Sequence, residues 1–171
     1  SGEVDGIILP GVGAFDAAMN SLQISNFIDP IKDIVGLGVP ILGVCLGMQL
    51  LFTKSDEGKL EGLNLIEGEV TEIKKVRKDM KIPHMGWNSI EIKSNSVLFN
   101  NIKSGEYFYF VHGYKCEPKD ESIVSTEVTY GDVICSSIEK DSIFATQFHP
   151  EKSGEIGLEI YKNFISKVSE K

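Results

Sequence analysis

The sequence predicts an α/β fold, in which a parallel sheet with flanking helices is joined to a smaller antiparallel β portion in the second half. Three observations lead to this fold class. Short apolar runs alternate with helix-forming segments over residues 1–52, β-rich segments follow one another from Gly68 onward, and the chain closes with an amphipathic stretch. Strand–helix alternation indicates parallel strands with covered faces, whereas strands separated only by turns indicate antiparallel pairing.

In the first half, each element has its own signal. The apolar run that opens it ends in the Gly-rich turn Pro10-Gly11-Val12-Gly13. Asp29 and Pro30 suit the N-cap and first turn of a helix, which Gly36 closes. The expected elements are a strand at 5–10, a helix at 14–22, a helix at 30–35, a strand at 40–44 and a helix at 46–52.

In the second half, β-branched and aromatic residues alternate with turn residues. Hairpin turns are expected at Tyr130-Gly131-Asp132 and Glu139-Lys140-Asp141. The last segment, 157–168, predicts an amphipathic helix because Ile160, Phe164 and Val168 are four apart. The expected strands have the sequences EVTEIKKV, WNSIEIK, YFYFVHGYKCE, SIVSTEVTY, DVICSSIEK and IFATQFH.

The bulk composition predicts one domain over residues 1–171 in a cytoplasmic protein. The chain has 42% hydrophobic and 25% charged residues, with no apolar run of membrane-span length and no basic leader at its start. Its net charge of −8 argues against a nucleic-acid partner. The three cysteines lack a CxxC pair, which argues against a disulfide framework and a zinc site.

Cys45 is the candidate nucleophile. It follows an apolar strand and precedes a helix-forming segment, in the pattern Gly43-Val44-Cys45-Leu46-Gly47. This pattern corresponds to the G-x-S-x-G elbow with sulfur in place of oxygen, and small flanking residues allow the chain to turn sharply. The following helix would favour the thiolate, and the Leu46 N–H is a natural oxyanion donor. The alternative is a buried packing cysteine, as we expect for Cys116 and Cys135.

His149 is the candidate base. It precedes Pro150, which favours extended backbone, and in an extended segment residues two apart project to the same side. Glu151 could therefore orient the imidazole, which gives a thiol, a base and an acid. Neither His84 nor His112 has a carboxylate at a helpful spacing, so positional or structural roles are expected for both.

GVCLGMQLLF followed by QFHPEKS resembles the class I, or triad-type, glutamine amidotransferases. The resemblance implies a flavodoxin-like fold, no cofactor and no metal. It also implies that Cys45 attacks the side-chain amide of glutamine, that ammonia leaves, and that water activated by His149 hydrolyses the thioester to glutamate. The catalytic triad would be Cys45, His149 and Glu151.

Three further segments resemble one branch of that family, the glutaminase subunits of imidazole glycerol phosphate synthase in histidine biosynthesis. They are LPGVGAF, PHMGWN and YFYFVHGY, and Met48 stands where other branches usually have histidine. The branch implies a heterodimer with a (β/α)8-barrel cyclase. That subunit would combine channelled ammonia with a ribulosyl phosphate nucleotide, PRFAR, to give imidazole glycerol phosphate and AICAR in a lyase reaction.

The resemblance also assigns roles to individual positions. The oxyanion donors would be the N–H groups of Leu46 and, after the Gly-rich loop reorients, Val12. Glu57 would hold the α-amino group of glutamine, although a solvated acidic loop is the alternative. The other substrate positions are Gly11, Gly13, Gln49, His112, Gly113 and Tyr114, and the positions facing the partner are Met85, Trp87, Asn88, Tyr109 and Lys152.

Several alternatives stay open on the sequence alone. Trp87 could be an ordinary core aromatic residue. Family members begin with a further strand and helix, so we expect this chain to be truncated at its N-terminus and to need those elements for folding. The protein could serve another synthase, of the anthranilate, aminodeoxychorismate or GMP type. It could also be an idle partner-binding module, or a cysteine-dependent peptidase or esterase.

Overall fold

The computed structural model describes residues 3–170, which contain ten strands and four α-helices. The strands are β1 (Ile7–Leu9), β2 (Ile41–Val44), β3 (Phe52–Ser55), β4 (Ile66–Glu72), β5 (His84–Ile92), β6 (Tyr107–His112), β7 (Tyr114–Pro118), β8 (Val124–Tyr130), β9 (Asp132–Lys140) and β10 (Ile143–Thr146). The helices are α1 (Phe15–Ile24), α2 (Ile28–Gly36), α3 (Leu46–Leu50) and α4 (Gly154–Val168). None of these helices is long and apolar enough to cross a membrane.

The strands form one mixed sheet with the path β1-β2-β10-β9-β7-β4-β3, and β8 connects β9 to β5, which pairs with β6. The pairs β1/β2, β2/β10 and β3/β4 are parallel, and the other pairs within residues 3–170 are antiparallel. The α/β class with parallel and antiparallel portions is confirmed. The two portions are continuous because β10 is parallel to β2 on one side and antiparallel to β9 on the other.

Most predicted elements are present, with shifts at their ends. The helix predicted at 46–52 ends at Leu50, because Phe52 is fully buried and begins β3, which pairs with β4. Phe27 occupies the N-cap of α2, so the prediction that Asp29 caps this helix is wrong and Asp29 lies in the first turn. Gly113 divides the predicted strand at 107–117 into β6 and β7.

The core lies on both faces of the sheet around β2. Ile41 packs into one apolar cluster with Phe15 and Met48, whereas Leu42 packs into the other with Phe144. Successive side chains of a strand point to opposite faces, so β2 is covered on both sides, as expected for a central parallel strand. This packing fixes the end of β2, where Cys45 follows Val44.

Candidate active site

Cys45 lies at the turn between β2 and α3 with φ 55° and ψ −110°, a strained conformation for a residue other than glycine. Its N–H donates to the Thr146 carbonyl of β10 at 2.8 Å. A Cβ on Gly47 would lie 1.7 Å from the Leu9 carbonyl oxygen, and one on Gly43 would lie 2.8 Å from the Gly47 oxygen. Both glycines are therefore required by close backbone contacts around the turn.

The Cys45 thiol is buried, and burial raises its pKa to about 11. A hydrogen bond from the Leu46 N–H lowers the pKa, but desolvation outweighs it. The sulfur also contacts the Val111 carbonyl at 3.7 Å and the Gln147 Nε2 at 3.8 Å. The N-terminus of α3 therefore favours the thiolate through the Leu46 N–H, but α3 has only five residues and desolvation of the sulfur is the larger effect in this conformation.

His149 and Glu151 are paired, with Nδ1 2.6 Å from Oε1. The pairing does not arise from an extended segment: His149 is extended, but Pro150–Lys152 form a 3-10 turn. The His149 N–H donates to the Tyr109 carbonyl at 2.9 Å, which attaches the turn to β6. The imidazole is thus oriented by a carboxylate and held by backbone contacts.

His149 and Cys45 line the same cavity of about 260 Å³. The Nε2 atom of His149 is buried and has no hydrogen-bond partner among the described residues. The thiol is therefore not hydrogen bonded to the imidazole in this conformation. Proton transfer from the thiol requires a hydrogen bond to this nitrogen, either directly or through a group bound between the two side chains.

The same cavity brings together the predicted oxyanion and substrate positions. Gly11 is the exception, since it does not line the cavity but packs against Leu46. Pro83 and Val111 also line the cavity, although neither was predicted as a site residue. The predicted positions that do line it are Val12, Gly13, Leu46, Gln49, Glu57, His112, Gly113 and Tyr114.

Glu57 is not a free loop carboxylate. Its Oε1 accepts a hydrogen bond from the N–H of Phe15, the first residue of α1. In return, the Asp16 carboxylate accepts from the N–H groups of Lys59 and Leu60 at 2.9–3.0 Å, and these bonds lower the Asp16 pKa. The loop that carries Glu57 is therefore clamped to the helix that follows the Gly-rich loop.

Comparison with known proteins identifies the family of this chain. Residues 2–168 match the family model for class-I glutamine amidotransferases. The chain belongs to the class-I glutamine amidotransferase family. Its relatives include proteins named imidazole glycerol phosphate synthase subunit HisH: that of Methanocaldococcus jannaschii is 50% identical, and that of Syntrophotalea carbinolica is 46% identical. These alignments cover 94% and 95% of this chain and 80% and 81% of the relatives. The resemblance to the HisH branch is confirmed.

Solved structures show the same fold at lower sequence identity. The glutaminase domain of Trypanosoma brucei CTPS, solved with bound acivicin, is 19% identical with a TM-score of 0.67, over 98% of this chain and 72% of that chain. A chain of PurLQS from Thermotoga maritima is 18% identical with a TM-score of 0.66, over 95% and 80%. At these identities the comparison supports the amidotransferase fold alone.

The residues predicted to face a partner in this amidotransferase are mostly exposed. Met85 and Trp87 are 62% and 55% exposed, so the alternative that Trp87 is a core aromatic residue is wrong. The Trp87 and Tyr109 rings meet edge-on at 6.1 Å, and the Lys152 Nζ lies 6.0 Å above the Tyr109 ring. Asn88 is only half exposed and bonds inward to His84.

Two polar residues near the triad were missed by the sequence reasoning. The Tyr161 hydroxyl donates to Oε2 of Glu151 at 3.2 Å, and Gln147 contacts the Cys45 sulfur. Gln147 could have been noticed because it lies two residues before His149. Tyr161 gave no signal, since it lies ten residues beyond Glu151 inside an amphipathic helix. The described residues contain no group of His, Cys, Asp or Glu suited to a metal ion.

Proposed function

We propose that this protein hydrolyses glutamine to glutamate and ammonia as the glutaminase subunit of an imidazole glycerol phosphate synthase. The observation that carries the proposal is the shared cavity of Cys45 and His149, with Glu151 2.6 Å from the far nitrogen of the imidazole. Family membership and the HisH relatives support the same activity. From this geometry we assign Cys45, His149 and Glu151 as the catalytic triad.

The reaction begins when the His149 Nε2 accepts the thiol proton and the Cys45 sulfur attacks the amide carbon of glutamine. The tetrahedral oxyanion is stabilised by the Leu46 N–H, which already points at the sulfur, and by the Val12 N–H. The imidazolium then protonates the departing nitrogen, so ammonia leaves and a thioester forms. Water that gives its proton to His149 attacks the thioester, and the proton returns to the sulfur as glutamate is released.

Substrate binding uses the polar lining of the cavity. The Glu57 carboxylate suits the α-ammonium group of glutamine, and backbone N–H groups around Gly13 and Gly113 suit its α-carboxylate. Gln49 is buried and donates to the Tyr114 carbonyl at 3.4 Å, which fixes one side of the site. The cavity of about 260 Å³ has room for a small amino acid with both ends charged.

The resting conformation is a low-activity state. The thiol is protonated because burial raises the pKa of Cys45, and His149 Nε2 makes no bond to it. Val12 is 78% exposed and lies within the Gly-rich turn, immediately before Gly13, which has φ +104°. Reorientation of this loop would bring the second oxyanion donor into place, so hydrolysis would wait for a partner.

The partner would be a (β/α)8-barrel cyclase subunit that receives the ammonia and converts PRFAR to imidazole glycerol phosphate and AICAR. Exposed Trp87 and half-buried Tyr109, with Lys152 beside them, provide an amphipathic anchor of the kind found at interfaces. Tyr109 also bonds to the backbone of His149. A partner that contacts Trp87 and Tyr109 could therefore change the position of the catalytic base His149.

The test measures glutamine hydrolysis by the protein in complex with the synthase subunit, with and without the nucleotide ligand of that subunit. Cys45→Ala should abolish glutamine hydrolysis while synthesis from added ammonia continues, and Cys135→Ala serves as the matched control. A glutamine-mimicking electrophile should label Cys45, as read by mass spectrometry. The proposal would be contradicted if the Cys45→Ala variant still hydrolysed glutamine. It would also be contradicted if electrophiles without a glutamine-like structure labelled Cys45 equally well.

A further inference from the structure

His84 and His112 form a buried pair that the reaction does not use. They face each other across β5 and β6, and His84 Nδ1 lies 2.9 Å from His112 Nε2. Both side chains are buried, and neither contacts a carboxylate among the contacts described. The other nitrogen of each ring also has a partner: Asn88 for His84, and the Tyr114 carbonyl for His112.

The direction of every bond in this chain is fixed by its two ends. The Tyr114 carbonyl can only accept, so the Nδ1 of His112 carries the proton at 2.8 Å. At the other end, the Asn88 Nδ2 donates to the Thr129 carbonyl at 3.0 Å and so also donates to His84 Nε2 at 3.3 Å. Only one arrangement satisfies both ends with neutral rings: His84 and His112 each donate from Nδ1 and accept at Nε2.

The chain continues from Tyr114 to the nucleophile. The Tyr114 carbonyl also accepts from the Gln49 Nε2, whose second hydrogen is directed to the Gln147 Oε1 at 3.3 Å. The Gln147 Nε2 then faces the Cys45 sulfur. The amide orientations of both glutamines are thereby determined by the same carbonyl that fixes the histidines.

Packing prevents the first ring of the chain from turning aside. His84 is stacked between Phe110 at 4.8 Å and Tyr130 at 4.1 Å, with interplanar angles of 24° and 21°. A ring held on both faces cannot rotate freely, and the bond from its Nδ1 to buried His112 has no water to replace it. If the hydrogen bond between Asn88 and His84 is reversed or lost, the hydrogen bond between His84 and His112 therefore changes as well.

We propose that Asn88, His84, His112, Gln49 and Gln147 form a positioning relay that ties the partner face of β5 to the Cys45 thiol. The inference rests on the proposed function for its biological meaning, because the relay would let contact at Asn88 alter the site. The members of the relay position Cys45 and the Tyr114 carbonyl, and they transfer no proton during the reaction. Both histidines stay neutral in this role.

The test exchanges the donor at the start of the relay by Asn88→Asp. The carboxylate oxygens would face the Thr129 carbonyl and His84 Nε2, so the relay can persist only if His84 changes its proton position. The control is Asn95→Asp, which makes the same charge change on an exposed loop. Three quantities are measured on the full-length protein: the ¹⁵N tautomer state of His84 and His112, the alkylation rate of Cys45, and the glutaminase kcat and KM at saturating synthase subunit.

The relay predicts Nδ1–H tautomers for both histidines in the wild type. Asn88→Asp should change the ¹⁵N signals of His112, slow Cys45 alkylation about threefold and lower kcat about tenfold, the range expected for one lost hydrogen bond. Asn95→Asp should change none of these. A proton on Nε2 of either ring, or unchanged His112 signals and alkylation in Asn88→Asp, would overturn the relay. Loss of glutaminase activity in the wild-type complex would instead refute the proposed function, since tautomers and alkylation are measured without it.

Discussion

His149 Nδ1 lies 2.6 Å from Glu151 Oε1, although the histidine side chain is only 3% exposed and the glutamate side chain is 45% exposed. The carboxylate therefore orients a buried base from the edge of the site. Glu151→Gln keeps the shape but removes the charge that would stabilise an imidazolium. We expect kcat for glutamine hydrolysis in the complex to fall about 10²- to 10⁴-fold with KM little changed. Glu155→Gln, in the first turn of α4, should behave as wild type; equal activity of the two variants would exclude an orienting role for Glu151.

The second oxygen of Glu151 is held by Tyr161. The tyrosine is a permanent donor, because burial and the nearby Glu151 charge raise its pKa to about 12. Tyr161→Phe should lower kcat roughly three- to tenfold without changing KM or the free energy of unfolding by more than about 1 kcal/mol. Steady-state kinetics and urea unfolding measure both. Tyr107→Phe, at a 58% exposed site, is the control, and a Tyr161→Phe enzyme with wild-type kcat would contradict the assignment.

The elbow tolerates no side chain at Gly47. A Cβ there would meet the Leu9 backbone oxygen at 1.7 Å, and neither β1 nor α3 can shift cheaply. We expect Gly47→Ala to lower the free energy of unfolding by at least about 2 kcal/mol. In contrast, a Cβ on Gly36 meets nothing within 4 Å, so Gly36→Ala at the end of α2 should be neutral or slightly stabilising. Thermal unfolding of the two variants checks the prediction, which similar melting temperatures would refute.

The raised pKa of Cys45 predicts slow, pH-dependent alkylation in the absence of the partner. Because only the thiolate reacts, the rate with iodoacetamide should rise about tenfold per pH unit from pH 7 and reach no plateau below about pH 10. Mass spectrometry after short exposures locates the label, and the Cys45→Ala variant shows how much of the total alkylation occurs at Cys45. Complex formation with the nucleotide ligand bound should shift the profile to lower pH. A plateau near pH 7 in the isolated protein would show that the thiolate is already formed.

The buried histidines predict a loss of stability in mild acid. Burial lowers the pKa values of His84 and His112 from 6.5 to about 4, so between these values the unfolded chain binds protons that the folded chain excludes. Protonation of these histidines does not reduce the free energy of unfolding above pH 6.5. As the pH falls towards 4, the free energy of unfolding decreases by up to about 1.4 kcal/mol per pH unit for each histidine. Urea unfolding at several pH values measures this slope. His84→Gln should flatten it, and a slope identical to that of the wild type would contradict the prediction.

The sequence predicted the parts of the site that depend on near neighbours. Gly43, Cys45 and Gly47 specify an elbow within five residues, and His149 and Glu151 are adjacent enough for one turn to pair them. The amphipathic face of α4 was equally clear, since Ile160 and Phe164 are both buried. The predicted element boundaries were wrong where residues distant in the sequence determine the structure. The predicted helix at 46–52 ends early because Phe52 begins β3, which pairs with β4.

The sequence by itself determined the strand–turn–helix around Cys45 and the His-Pro-Glu segment, because backbone preferences and close glycine contacts are set over a few residues. Only the tertiary structure decided the protonation of the thiol, since desolvation depends on everything packed around the sulfur. It also decided the relay, whose Gln49 and Gln147 are 98 residues apart, and the contact of Tyr161 with Glu151. Such contacts follow from strand register and helix packing across the whole sheet, which no local pattern contains.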